Sequence, residues 1–254
     1  MSKGLVILSG GMDSAAVLAH AVAELGAENV FALTFDYGQR HIKEMNAAKA
    51  LAKHYKVKHK VFKIDLTQIG GSSLTDKEID VPDFEKDKDV WEQTHVALTY
   101  VPMRNTIFIA IASAFCEVLM YSRIYTGFNF IDSGGYPDTT PEYVELMNRL
   151  LRGFTGKVKE NFYPTIHTPL IRMTKAQIVT FGSSLRVPWH KTWSCYNGDK
   201  MPCGTCNACV QRAKGFDDVG LTDPVTIPKT IVPEEQGLPE EPEKNTPPKI
   251  KWGA

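Results

Sequence analysis

Six residues near the start of the chain, Ser9-Gly10-Gly11-Met12-Asp13-Ser14, have the composition of an anion-holding turn. Paired glycines let backbone amides approach a charged oxygen closely, and a helix beginning at Asp13 adds the positive end of its dipole. Phosphate is the ligand such a loop fits. The same residues also suit a plain tight turn, because aspartate and serine cap helices without any ligand. The spacing is neither G-x-G-x-x-G nor G-x-x-x-x-G-K-[ST], so the dinucleotide fingerprint and the Walker A loop are both absent from this site.

A second set, Cys195, Cys203, Cys206 and Cys209, follows C-x(7)-C-x(2)-C-x(2)-C, with Gly204 inside the turn. Four thiolates satisfy tetrahedral zinc and leave no position for water, so the site reads as structural. Four cysteines also suit an iron–sulfur cluster, and short Cys-x-x-Cys turns occur in redox pairs. The fifth cysteine, Cys116, lies at helical spacing in an apolar run and reads as core.

The elements that must position these groups alternate. Gly4–Leu8 is an apolar strand, and Leu18, Ala21, Val22 and Leu25 repeat on one helical face that Gly26 ends. Strands are expected at Val30–Thr34, Lys60–Ile64 and Ile124–Phe128, and helices at Met45–Tyr55 and Asn105–Tyr121. This order predicts an α/β fold with a doubly wound, mainly parallel, Rossmann-like sheet. Its ligand site would lie beyond the carboxyl ends of the strands, where Ser9–Ser14, Asp36–His41 and Asn129–Asp138 converge. Gly70–Thr94 is polar and charged, which suits a solvated loop or a lid that orders on substrate. From Pro224 onward, seven prolines and several glutamates point to an extended tail. The division expected is 1–185 for nucleotide binding, 186–223 for the cysteine module and 224–254 for the tail.

The charge balance of 29 basic against 29 acidic residues gives no global field to hold a nucleic-acid backbone. The apolar stretch Ile107–Met120 is interrupted by Ser113 and Glu117 and falls short of the roughly 18–20 residues a membrane span needs. Gly4–Leu8 is shorter than the roughly 7–15 apolar residues of a signal peptide, so a cytoplasmic location is expected. No internal repeat is present, which argues against a solenoid or propeller.

The hexapeptide resembles the SGGxDS pyrophosphate loop of the ATP pyrophosphatase enzymes, among them GMP synthetase, argininosuccinate synthetase, tRNA thiolases and lysidine synthetases. That resemblance implies an adenine nucleotide alpha hydrolase-like fold and adenylation of a carbonyl oxygen, with Asp13 positioning ATP and its Mg2+. The loop and the cysteines together resemble the 7-cyano-7-deazaguanine synthase family over most of residues 4–224. Carrying the likeness are Tyr37-Gly38-Gln39-Arg40-His41 with Glu44, Val101 to Asn105, Gly135 to Asp138, His167 to Leu170, Thr174-Lys175-Ala176 and Thr192 to Gly215.

The resemblance implies that 7-carboxy-7-deazaguanine, ammonia and ATP are converted to the nitrile through an adenylated acid and an amide. It also implies Mg2+, one structural Zn2+ and a homodimer. Ser9, Gly10, Gly11, Asp13 and Ser14 would then hold the nucleotide, and Arg40 and Arg104 the substrate carboxylate or phosphates. His41 would act as acid or base, or only brace the loop. Phe128 and Tyr136 would stack on the base, and Asp132 or Asp138 would accept its N–H and amino group.

The chain departs from the family's usual pattern at Gly134, where serine is usual, and at Thr139 and Thr140, where cysteine and arginine are. These changes keep an enzyme that stops at 7-amido-7-deazaguanine as an alternative. A further alternative is an ATP-dependent tRNA-modifying enzyme using a zinc ribbon, with Lys191, Lys200, Arg212 and Lys214 locally basic. The third is a non-enzymatic ATP sensor.

Overall fold

The computed structural model describes residues 2–40, 42–84, 86, 96–129, 135–156, 162–197 and 200–225. His41, Asp132, Gly134 and the tail from residue 226 onward lie outside the described residues.

Five parallel strands form one sheet in the order β3-β2-β1-β4-β5. They are β1 (Gly4–Ile7), β2 (Val30–Asp36), β3 (Lys58–Lys63), β4 (Arg123–Tyr125) and β5 (Thr165–His167). The helices are α1 (Met12–Leu25), α2 (Ile42–His54), α3 (Arg104–Leu119), α4 (Pro141–Phe154), α5 (Lys175–Ser184) and α6 (Asn207–Asp217). The chain moves outward from β1 to β3 and then returns to the other side of β1, so the order reverses beside β1 and opens a crevice there.

The side-chain period of two along β1 divides the core. Leu5 joins the layer under α3 and α4 with Ile109, Cys116, Val144 and Leu151. Val6 joins the opposite layer with Leu18, Leu51, Ile178 and Phe216. Both layers are apolar, as a parallel sheet covered on each face requires.

The expected α/β fold is present, with differences at its edges. β4 is Arg123–Tyr125 rather than Ile124–Phe128, so Phe128 stands beyond the strand end, where ligands bind. α2 begins at Ile42 and β3 at Lys58, each earlier than periodicity indicated. The segment after Gly70 is not a solvated loop throughout: Ser72, Ser73, Leu74 and Thr75 are buried, and Ser73 N–H donates to the Leu98 carbonyl. Among the described residues no helix is long and apolar enough to cross a membrane.

Candidate active site

The glycine turn leaves β1 and enters α1. Gly10 has φ +99°, and a Cβ there would lie 2.2 Å from the Glu44 carbonyl oxygen, so α2 packs where only glycine fits. Ser14 Oγ accepts from Gly10 N–H and donates to the Gly11 carbonyl, both at 3.1 Å, while Ser9 Oγ accepts from Gly11 N–H at 3.2 Å. The first helical bond runs from Ala15 N–H to the Gly11 carbonyl. The amides of Met12, Asp13 and Ser14 therefore lack helical acceptors and make a positive end for an anion.

Asp13 projects from that end. Its Oδ2 accepts from Lys175 Nζ at 2.7 Å and from Asn129 Nδ2 at 3.0 Å, and its Oδ1 is buried without a hydrogen-bond partner. Lys175 is placed by local chemistry. Thr174 and Gln177 form a reciprocal capping box that fixes the start of α5. Gly215 on α6 then lets that helix close on the lysine, since a Cβ there would lie 2.8 Å from Lys175 Cβ.

Ser9, Gly11, Met12, Asp13, Ser14 and Lys175 line a cavity of about 240 Å³, walled also by Tyr37, Arg40, Glu44, Arg104, Phe128 and Tyr136. Thr126 Oγ1, Arg40 Nε and Asn207 Oδ1, all on residues of this wall, are likewise buried without partners. Unpaired buried polar atoms are costly, and their concentration in one crevice marks it as built for a polar ligand.

Arg104, at the first residue of α3, donates to the Tyr37 hydroxyl at 3.3 Å and lies over the rings of Tyr37 and Tyr136. Glu44 lies across from it. Burial raises its carboxyl proton affinity, opposed by the Arg104 charge and a hydrogen bond from Ser9, until it titrates at about 7. Phe128 and Tyr136 are aromatic walls, with the Tyr136 hydroxyl 2.5 Å from Thr99 Oγ1.

Two expected residues also bond the backbone of other segments. Arg40 reaches the cavity wall, but its Nη2 donates to the backbone carbonyls of Asp76 and Ile79, so its guanidinium pins the following loop. Asp138 spends both oxygens on Asn105, accepting from its N–H at 3.2 Å and its Nδ2 at 3.0 Å. The cause is the start of α3, where Met103 at the N-cap is left-handed and offers no capping side chain. Asp138 supplies the missing acceptor from across the chain and lies behind the cavity wall rather than in it.

Sequence reasoning gave no role to Glu44, Lys175 or Asn129. The signal for Lys175 was its place inside a Thr-x-x-Gln capping box, and Glu44 stood four residues after Arg40 in a matched motif. Asn129 carried no signal beyond its position at a strand end.

The four cysteine sulfurs lie within 4.8 Å of one another, with Cys195 to Cys203 at 3.5 Å and Cys203 to Cys209 at 3.9 Å. A tetrahedron with metal–sulfur bonds of about 2.3 Å has edges of about 3.8 Å, so the set fits one metal ion. Backbone N–H groups of Asn197 and Cys203 donate to Cys195 Sγ, and that of Cys206 to Cys203 Sγ, which favours thiolates. This centre adjoins the cavity: Ser194, Cys195, Tyr196, Asn207 and Ala208 form part of its wall. Trp193 N–H donates to the Gly10 carbonyl at 2.9 Å, tying the segment to the glycine loop.

The local basic patch is smaller than its sequence. Arg212 is buried, paired with Asp223 through Nε at 2.6 Å and Nη2 at 2.8 Å. Lys214 lies 3.7 Å from Asp218.

One crevice of the doubly wound parallel sheet thus brings together a glycine turn suited to an anion, a part-buried Asp–Lys pair and a four-cysteine set that fits a metal ion. Residues 3–220 match the family described as Queuosine biosynthesis protein QueC, and the chain belongs to that family. It is 45% identical over 225 residues to the 7-cyano-7-deazaguanine synthase of Trichodesmium erythraeum, covering 88% of this chain and 99% of that protein. It is 46% identical over 228 residues to the synthase of the same name from Thermoplasma volcanium, covering 89% and 91%.

Proposed function

We propose that the chain is an ATP-dependent 7-cyano-7-deazaguanine synthase, acting on 7-carboxy-7-deazaguanine and ammonia. The observation that carries the reading is the cavity that the glycine turn shares with Arg104, Phe128 and Tyr136, on a chain of the QueC family. A carboxylate is a poor electrophile until its oxygen is made a leaving group, and adenylation does that.

Ser9 and Ser14 hydroxyls and the first amides of α1 would hold the phosphates of ATP. Asp13 Oδ1, an unpaired hard oxygen donor, fits Mg2+, which neutralises charge on the departing pyrophosphate when bound. Lys175 orients Asp13 through the 2.7 Å ion pair to its Oδ2. Arg104 would draw the substrate carboxylate toward ATP, offsetting the repulsion between two anions, while Phe128 and Tyr136 cover the deazapurine ring. Ammonia then displaces AMP to give the amide, and a second adenylation on the amide oxygen permits its loss and leaves the nitrile. The cysteine centre fits Zn2+ in a structural role, since four thiolates leave no site for chemistry. Residues 1–185 would serve nucleotide binding and 186–223 the metal, within a cytoplasmic homodimer.

Mass spectrometry of acid, amide and nitrile over time, with ATP, Mg2+ and ammonium, tests the reading. Nitrile as the end product is expected. Amide that accumulates without further conversion would restrict the activity to the first half, and no ATP-dependent loss of the acid would refute the substrate.

A further inference from the structure

We propose that Glu44 is the general base of the amination and dehydration steps, taking protons from the ammonium-derived nucleophile and later from the amide nitrogen. The proposal rests on the synthase reading above and adds the residue that its proton balance requires.

An acceptor is needed more than once. Ammonium, the dominant form at neutral pH, has no lone pair. One proton must leave before nitrogen forms the C–N bond and the bond from carbon to the adenylate oxygen breaks, its electron pair departing with AMP. The adduct's nitrogen sheds a second proton to become the neutral amide. Once a second ATP has adenylated the amide oxygen, the nitrogen loses its two remaining hydrogens as protons. The C–O bond then breaks, AMP again takes the pair, and C≡N forms.

Among the described residues lining the cavity, the carboxylic acids are Asp13 and Glu44. Asp13 is engaged by Lys175 and Asn129. Arg40 and Arg104 are permanently charged donors, and burial pushes the Tyr37 phenol up, away from use as a base. Glu44 stands in the first turn of α2, where its backbone meets the glycine loop at Gly10, and it lines the cavity together with Ser9 and Arg104. That places it between the group suited to phosphate and the group suited to the substrate carboxylate, where the reacting carbon belongs.

The groups facing Glu44 are Ser9 from the loop, Arg104 from α3 and Tyr37 from the end of β2. Lys43, its chain neighbour, lies instead over the Trp193 ring, with Nζ 4.4 Å from the ring centre. Titration at about 7 leaves Glu44 partly ionised at neutral pH, as a base that must both take and release protons requires. Below that value the carboxyl is protonated and cannot accept, so the amination rate falls as pH drops through 7.

The test separates adenylation from proton removal. ATP–pyrophosphate exchange with the acid and no ammonia reads the first step alone, and single-turnover formation of amide and nitrile reads the later ones. Glu44→Gln is expected to keep exchange within about threefold, to lose on the order of 100-fold or more in both later rates, and to lose the acid limb near pH 7. Glu44→Asp recovers part of the loss. Alkaline ammonium, which supplies free NH3, restores amide formation in Glu44→Gln more than nitrile formation.

Wild-type amide and nitrile rates in Glu44→Gln, or an unchanged acid limb, would overturn the assignment. So would exchange that falls in step with amination, since that marks a brace for the loop. A wild-type enzyme without acid-dependent exchange would instead bring down the synthase reading, and this proposal with it.

Discussion

Removing the Asp223 carboxylate should unfold the protein far more readily than removing any exposed charge of the metal module. The Arg212 side chain is 2% exposed and that of Asp223 10%, and their two hydrogen bonds form a bidentate pair. Breaking a buried pair by deleting one partner leaves an uncompensated charge and costs about 3–5 kcal/mol. For a chain of this size each kcal/mol lowers the melting temperature by about 2–4 °C, so Asp223→Ala should lose about 6–20 °C. Lys214 and Asp218 provide the internal contrast, with side chains 63% and 43% exposed and 3.7 Å apart. Their coupling should stay below about 1 kcal/mol. Urea unfolding of the metal-loaded protein, run as two double-mutant cycles, measures both couplings under one condition. An Arg212–Asp223 coupling no larger than that of Lys214–Asp218 would refute the reasoning, because burial would then add nothing to the pair.

Gly10→Ala should cost more than about 2 kcal/mol and abolish ATP binding in calorimetry, because its Cβ meets the Glu44 carbonyl and its φ is positive. Wild-type affinity in that variant would mean that the loop does not hold this conformation when ATP binds. Cys206→Ser should reduce metal content well below that of the wild-type protein, for which one zinc per chain is expected, and lower the unfolding midpoint, with elemental analysis as the readout. Recovery of iron with sulfide in the wild-type protein would replace zinc by a cluster.

The sheet was legible because its central strands are apolar runs next to glycine turns, as in Gly4–Leu8 leading into Ser9–Ser14. β5 was not, since Thr165–His167 is three residues long and too short to show a period. The metal set was legible from spacing alone, because the turn that brings Cys203, Cys206 and Cys209 together is local. The cavity residues were less so. Arg40 and Asp138 have the chemistry of ligand contacts, yet each satisfies backbone that has no local partner, at residues 76–79 and at the start of α3. Residue type cannot separate those roles, since the deciding acceptors and donors come from distant parts of the chain.

The same long-range logic explains why the cysteine module belongs to the active site although its metal would do no chemistry. Trp193, two residues before Cys195, bonds the Gly10 carbonyl, and Gly215 of α6 closes on Lys175, which holds Asp13. Both connections end on the glycine loop or its first helical turn. Losing the cysteine cluster would therefore free one wall of the cavity and both of these supports for Asp13 and the loop. The departures at Thr139 and Thr140 read differently under this geometry. Thr140 caps α4 by accepting from Tyr143 N–H, and Thr139, itself on the cavity wall, donates to the Tyr136 carbonyl. Both hydroxyls shape the backbone that carries Tyr136. An effect of Thr140 on product would therefore arise through the placement of that ring, whereas Thr139 also lines the cavity, and the nitrile-to-amide ratio should respond to Tyr136 substitutions in the same direction as to those of Thr140.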